Sequence, residues 1–279
     1  MIACFKQYIA WLFNKDSVSV KTTWDSSWTE FLLKEVIFYQ SLNQADQLLF
    51  NKRVLLFLDT TRIESYDDIV TDQDRLLIAA SAVIPVWGFP KWHYFNLKAV
   101  HLMPASFNAN FQIGQADSVI AGMVGTGLMS GKMVLSKPDL HQGFSNHLDK
   151  KNVGIHEFTH LIDMADGECD GYPERLKEFS FSIPWFEMVE EKINDINENN
   201  SNIRKYGATN RSEFFAVASE YFFERPRMLN KKHPELFKSL TKFYKQDVLD
   251  IGLDIKVRKK SLCACGSGKR YKRCCMPKN

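Results

Sequence analysis

Two histidines four residues apart, with a glutamate directly after the first, give this sequence its sharpest chemical content: His156-Glu157-Phe158-Thr159-His160. On a helix, positions i and i+4 stack on one face. Both imidazoles can then reach a single Zn²⁺ at ~2.0–2.1 Å. Glu157 is turned about a quarter of a revolution from His156. That sets its carboxylate beside the open coordination position, where it can take a proton from a bound water. Val153, Ile155, Phe158, Leu161 and Ile162 make the segment a core helix, and two histidines in a core need the partners that a metal supplies. The chemistry this pattern implies is metal-assisted hydrolysis. A catalytic zinc usually has three protein ligands plus water. The chain lacks a continuing His-x-x-Gly-x-x-His pattern, because Asp163 and Asp166 stand at its Gly and third His positions. The third ligand is therefore expected from another segment, best from Ser212 to Phe223, where two carboxylates sit among aromatic and apolar residues. Glu213 and Glu220 lie two turns apart on one face. One can bind the ion while the other holds a neighbouring group, and spacing alone does not choose between them.

A second cluster is made of thiols. Cys263, Cys265, Cys274 and Cys275 fall within thirteen residues, with Gly266 and Gly268 between them. Four thiolates can close a tetrahedral, structural zinc site, and a segment too short for an apolar core would fold on that ion. Cys4 and Cys169 are isolated. This distribution is unlike a secreted disulfide scaffold, and the default compartment is a reducing cytoplasm.

The elements that must position these groups belong to a chain of 279 residues with 45% apolar and 25% charged residues. That is enough to bury a core, and it excludes a disordered chain, a collagen-like fibre and a low-complexity scaffold. No run reaches the ~18 apolar residues of a membrane span. Charge is uneven: residues 251–279 carry nine Lys/Arg against one Asp, while the rest carries 27 basic and 32 acidic groups. A mildly acidic body thus bears a basic tail. Helical spacing runs through Leu32–Ile37, Leu48–Leu58 and Asp72–Ile84, the last stopped before Pro85. Ala99–Met103, Ser118–Val124 and Met133–Ser136 read as short strands separated by Gly-rich turns. Helices return over Val153–Met164, Pro184–Asn199, Ser212–Glu224 and Pro234–Phe243, with Ser212 as the expected cap and Pro226 beyond the third helix. Met133–Ser136 is the strand expected to receive an extended substrate. The fold class is α+β. The expected organisation is an amphipathic N-terminal segment (1–20), which docks on the body or touches a membrane surface, a main domain (21–252), and a basic linker with the cysteine cluster (253–279).

The run His156–Asp163, then Tyr206, then Glu213-Phe-Phe-Ala-Val-Ala-Ser-Glu220-Tyr-Phe-Phe223, resembles the Mlc titration factor A family of zinc-dependent peptidases. Phe237–Asp247 and Val100–Phe107 are similar to that family too, so the resemblance covers roughly residues 30–250. It implies a zincin-like domain with a small sheet and an active-site helix, gluzincin-like in its ligands. Carried over, it implies His156, His160 and Glu213 as zinc ligands and Glu157 as general base. It also implies Tyr206 as a phenol donating to the developing oxyanion. Asp163 matches a family position, where it orients a histidine or caps the turn before Ala165–Gly167. The tail closely resembles the SEC-C motif, which implies zinc on its four cysteines and a protein or nucleic-acid partner. The leading expectation is a cytoplasmic zinc peptidase acting on a peptide or protein, with one catalytic and one structural zinc. Two other readings are a regulatory protein that binds a transcriptional repressor, and a nucleic-acid- or ribosome-associated factor acting through the basic tail.

Overall fold

The computed structural model describes residues 23–65, 69–125, 127–173 and 182–249, with 269, 270 and 273. The amphipathic stretch 1–20 and the four clustered cysteines lie outside the described residues. The chain divides into two compact units. The first takes in the chain up to Val86, Pro90–Phe144 and Asn152–Ile162; the second takes in Trp87–Phe89, Ser145–Lys151 and the chain from Asp163.

Among the described residues of the first unit, three helices lead in: α1 (Ser26–Glu35), α2 (Ile37–Ser41) and α3 (Gln44–Thr60). Strand β1 (Arg62–Ser65) follows, then α4 (Asp72–Val83), β2 (Leu97–Met103), β3 (Gly122–Val124), β4 (Gly131–Ser136), α5 (Lys137–Ser145) and α6 (Val153–Asp163). The four strands make one sheet in the order β1-β2-β4-β3. β1 and β2 pair parallel, as do β2 and β4, while β3 runs antiparallel to β4. The fold is α+β. One expectation is corrected here: β4, which contains Met133–Ser136, is interior, lying between β2 and β3. Its buried, apolar Met133–Leu135 suits a strand flanked on both sides, and the edge beside it is β3.

The helix starts follow from local chemistry. α4 opens on a capping box: Thr71 Oγ1 accepts the Asp74 amide while Asp74 accepts the Thr71 amide, satisfying donors that a helix start leaves open. Asp74 is fully buried and also accepts from His141 at 2.7 Å and Lys137 at 3.2 Å. Helix α6 fits tightly against α4 at Gly154, where a Cβ would come within 2.1 Å of Ser81 Oγ. Phe158 fills the core between Phe57 and Tyr94, with ring centroids 5.6 and 5.0 Å away.

The second unit is helical: α7 (Ser182–Asn197), a 3₁₀ turn (Lys205–Ala208), α8 (Arg211–Glu224), α9 (Pro226–Lys232) and α10 (Pro234–Tyr244). Apart from Glu213, α8 is buried from Ser212 to Glu224, inside an aromatic core. Phe215 meets Trp185 and Phe243, and Tyr244 stacks on Phe222 and donates to Ser219 Oγ at 2.6 Å. Two sequence expectations change. Ser212 lies inside α8, and the cap is Asn210, whose Oδ1 accepts the Glu213 amide at 2.8 Å. Pro226 stops α8 but also starts α9, because proline at the first helical position gives up an N–H that would have no partner there.

Candidate metal centre

In the first unit α6 carries His156, Glu157 and His160, and its two ends are fixed by asparagines. Asn152 accepts the Ile155 amide on Oδ1 at 3.0 Å, and its carbonyl accepts the His156 amide at 2.9 Å. Its side-chain amide donates to the Gly143 carbonyl at 3.2 Å. Near the other end Asn96 Nδ2 donates to the Leu161 carbonyl at 2.8 Å. The helix is thereby held in place at groups that would otherwise lack partners.

One turn apart on this helix, His156 and His160 bring their Nε2 atoms to 3.1 Å. The rings meet edge to face, 4.7 Å between centroids, and are only 7% and 6% exposed. Two ligand nitrogens at ~2.0–2.1 Å from one tetrahedral ion stand ~3.3 Å apart, so the pair fits a shared metal. The same distance would serve a ring-to-ring hydrogen bond. Between the histidines in sequence, Glu157 is 5% exposed and faces strand β3. A Cβ on Gly122 would lie 2.6 Å from Glu157 Oε1 and 2.7 Å from its Cγ. Only a glycine lets this edge strand approach so closely. A carboxylate, two converging imidazoles and a strand edge therefore sit together within one unit.

The other expected site residues stand in the second unit. Glu213 is half-buried in the first turn of α8. Tyr206 lies in the 3₁₀ turn and is 52% exposed. Glu220 is engaged by Arg204 in an ion pair. Asp163, fully buried, accepts the Gly171 amide at 2.8 Å. This bond holds the loop after α6 at Gly171; the expected cap on Ala165–Gly167 is corrected, since the Asp163 side chain makes no cap bond to that turn. Gly171 has φ +76°, and a Cβ there would meet the Arg211 carbonyl at 2.4 Å, so the loop end must be glycine. Cys169 is an exposed thiol whose Sγ lies 3.2 Å from Ser212 Oγ.

The spacing of types had pointed to the histidines and Glu157, but not to Gly122, Asn152, Asn96 or Arg204. For Gly122 a signal existed: a glycine inside the strand run Ser118–Val124 marks close backbone approach. Asn152 offered one too, since an asparagine just before a helix start is a cap; Asn96 offered none, its partner being a main-chain carbonyl 65 residues away.

A small sheet with an antiparallel edge beside a buried His-Glu-x-x-His helix defines a metallopeptidase-like fold. The family model described as glucose-regulated metallo-peptidase M90 matches residues 11–245, and the chain belongs to that family. The SEC-C motif matches residues 260–277, which include all four clustered cysteines. An uncharacterized protein, slr2042, of Synechocystis sp. is 28% identical over 256 residues, 88% of this chain and 92% of that protein. Mlc titration factor A of Pectobacterium atrosepticum is 31% identical over 223 residues, 74% of this chain and 77% of its own. The protein of the same name from Serratia proteamaculans is 32% identical over 196 residues, covering 65% and 72%.

Proposed function

We propose that this chain is a zinc-dependent peptidase, with His156, His160 and Glu213 as ligands, Glu157 as general base and Tyr206 as oxyanion donor. The observation that carries the reading is the convergence of the two Nε2 atoms at 3.1 Å with Glu157 held against the β3 edge, in a chain of metallopeptidase family. Zinc, when bound, supplies Lewis acidity toward a scissile carbonyl and lowers the pKa of a water to ~7. Glu157 would serve as the base that holds the proton of an attacking water and hands it to the leaving amine. Its burial keeps the proton transfer out of bulk solvent. Tyr206 donates a hydrogen bond to the developing oxyanion. Strand β3 offers main-chain groups to an extended peptide. Glu213 is preferred to Glu220 because the Glu220 carboxylate is taken by Arg204.

The four tail cysteines are proposed to hold a second, structural zinc. A cytoplasmic location follows from this thiol chemistry. The nine basic groups of the tail favour contact with nucleic acid or the ribosome. The domain limits 1–20, 21–252 and 253–279 stand as proposals alongside these. Two relatives carry the name Mlc titration factor A, and that name favours a second role, binding of a transcriptional repressor.

Glu157→Gln separates the readings. The variant is expected to keep its zinc, measured by atomic emission, while peptide hydrolysis falls by ~10²–10⁴-fold. Hydrolysis at the parent rate would overturn Glu157 as the general base, and a parent protein that hydrolyses no peptide would leave repressor binding as the function.

A further inference from the structure

We propose that Glu220 is a positioning residue for Tyr206, acting through Arg204, an inference that rests on the role given to Tyr206 above. The argument starts from how the 3₁₀ turn is held within the second unit. Tyr206 is half in solvent, so its place depends on how the turn's main chain is held. The Gly207 amide donates to the Arg204 carbonyl at 3.0 Å, and the Tyr206 carbonyl accepts the Thr209 amide at 3.1 Å and the Thr209 hydroxyl at 2.8 Å. Ile203 and Gly207 are buried against α8, where a Cβ on Gly207 would lie 3.3 Å from Val217 Cγ1. Two residues before the phenol, Arg204 reaches to Glu220, in the middle of α8, and pairs with its carboxylate.

Apolar contacts of this kind resist removal of the turn but allow it to slide and rotate. A guanidinium–carboxylate pair fixes direction as well. Glu220 is 1% exposed, and two other acids lie close to this charge: the carboxyls of buried Glu224 and half-buried Asp149 both feel it. A buried ion pair in such company is a poor source of stability, since apolar residues of the same volume do as well or better. What it supplies here is a fixed attachment between the residue before the turn and a helix that cannot move within its aromatic core. An oxyanion donor needs that, because a displacement of about 1 Å costs on the order of 10²-fold in rate.

The test uses the full-length, zinc-loaded protein with Glu220→Gln, Arg204→Lys, Tyr206→Phe and the double variant Tyr206→Phe/Glu220→Gln. Amide hydrogen exchange reads the anchor directly. In Glu220→Gln the amides of Gly207 and Thr209 are expected to exchange at least about tenfold faster, while Phe222 in the interior of α8 is unchanged. With a peptide substrate, kcat is expected to fall about 10–100-fold at constant KM. The double variant is expected to be no slower than Tyr206→Phe alone, because a displaced phenol has nothing left to lose. Unchanged exchange at Gly207 and Thr209, or a double variant that loses the full product of the two single effects, overturns the proposal. Arg204→Lys, which keeps the charge and removes the fork, carries the same expectations where Glu220→Gln does not fold. If Tyr206→Phe hydrolyses peptide at the parent rate, the proposed role of Tyr206 fails. The exchange data alone then decide whether Glu220 anchors the turn.

Discussion

Asp74 in the first unit and Glu224 in the second have almost no access to water, yet they are driven in opposite directions. Burial by itself raises the pKa of a carboxyl. At Asp74 that cost is outweighed by hydrogen bonds from His141, from the amide and hydroxyl of Thr71 and from Lys137, and the carboxyl is held well below the usual aspartate range. At Glu224 burial dominates, and the nearby charges of Glu220 and Asp149 add to it, so its carboxyl is pushed well above the usual range. Arg204 and the Lys151 amide offset this only in part. Neither Glu224 oxygen has a hydrogen bond of ordinary geometry among the described residues. Donors, then, decide whether a buried acid is a charge or a neutral group. Asp74 ties α4 to α5 as an anion, while Glu224 keeps its proton.

The largest effect is expected at Asp74. Asp74→Ala removes the common partner of Thr71, Lys137 and His141, and should cost about 3–5 kcal/mol by urea unfolding at pH 7. A loss below about 1 kcal/mol would break the contrast, showing that the network adds nothing beyond packing.

His101 applies the same rule to a base. It is 1% exposed, and burial together with the charges of Lys132 and Arg62 pushes its pKa down to about 4, although Glu64 lies 3.7 Å away. The folded chain therefore holds His101 neutral, while the unfolded chain takes up a proton below about 6.5. Stability that is full above that pH is lost as pH falls toward 4, by up to roughly 3 kcal/mol. His233, also pushed to about 4 by burial and by the charge of Lys192, adds to the slope. His101→Gln should flatten the stability curve between these pH values without removing it. An unchanged curve would show that His101 is already charged in the fold.

The smallest effect is expected at Glu224. The folded chain keeps a proton there that the unfolded chain loses above about 4.5, so this residue makes stability fall as pH rises from that value toward the folded pKa. Glu224→Gln has nothing to ionise. It should change stability by no more than about 1 kcal/mol at pH 5 and be the more stable form at pH 8. If it is less stable at pH 8, Glu224 is an anion in the fold and the comparison with Asp74 collapses.

Most of the helices were legible because periodicity and apolar faces survive in any one segment. Val153–Asp163 was read from its own residues, as were β2 and β4. Strand β1 was not, because Arg62-Ile-Glu-Ser65 buries only Ile63; its pairing with β2 makes it a strand. Helix α9 was missed because a proline beyond a helix reads as a stop, and only the chain's path shows that it is also a start. At the site, His156, Glu157 and His160 were legible because their chemistry repeats at the helical period. The distant supports were not: Asn96 and Arg204 act on groups 65 and 16 residues away, and the side-chain amide of Asn152 reaches 9 residues back to Gly143. No local pattern records such distances.

The parallel pairing of the sheet has a consequence for how the chain is made. Arg62 pairs with Ala99, and Ala99 with Lys132, so each contact closes a loop of more than thirty residues before it returns any stability. Only the β3–β4 pair is local. The sheet is therefore expected to form slowly. Until it does, Val100, Leu102 and Met133–Leu135, all buried in the finished fold, stand open on unpaired strands. On the ribosome these strands emerge before α6 and the helices after it, and the growing chain must keep them from its neighbours until the sheet has paired.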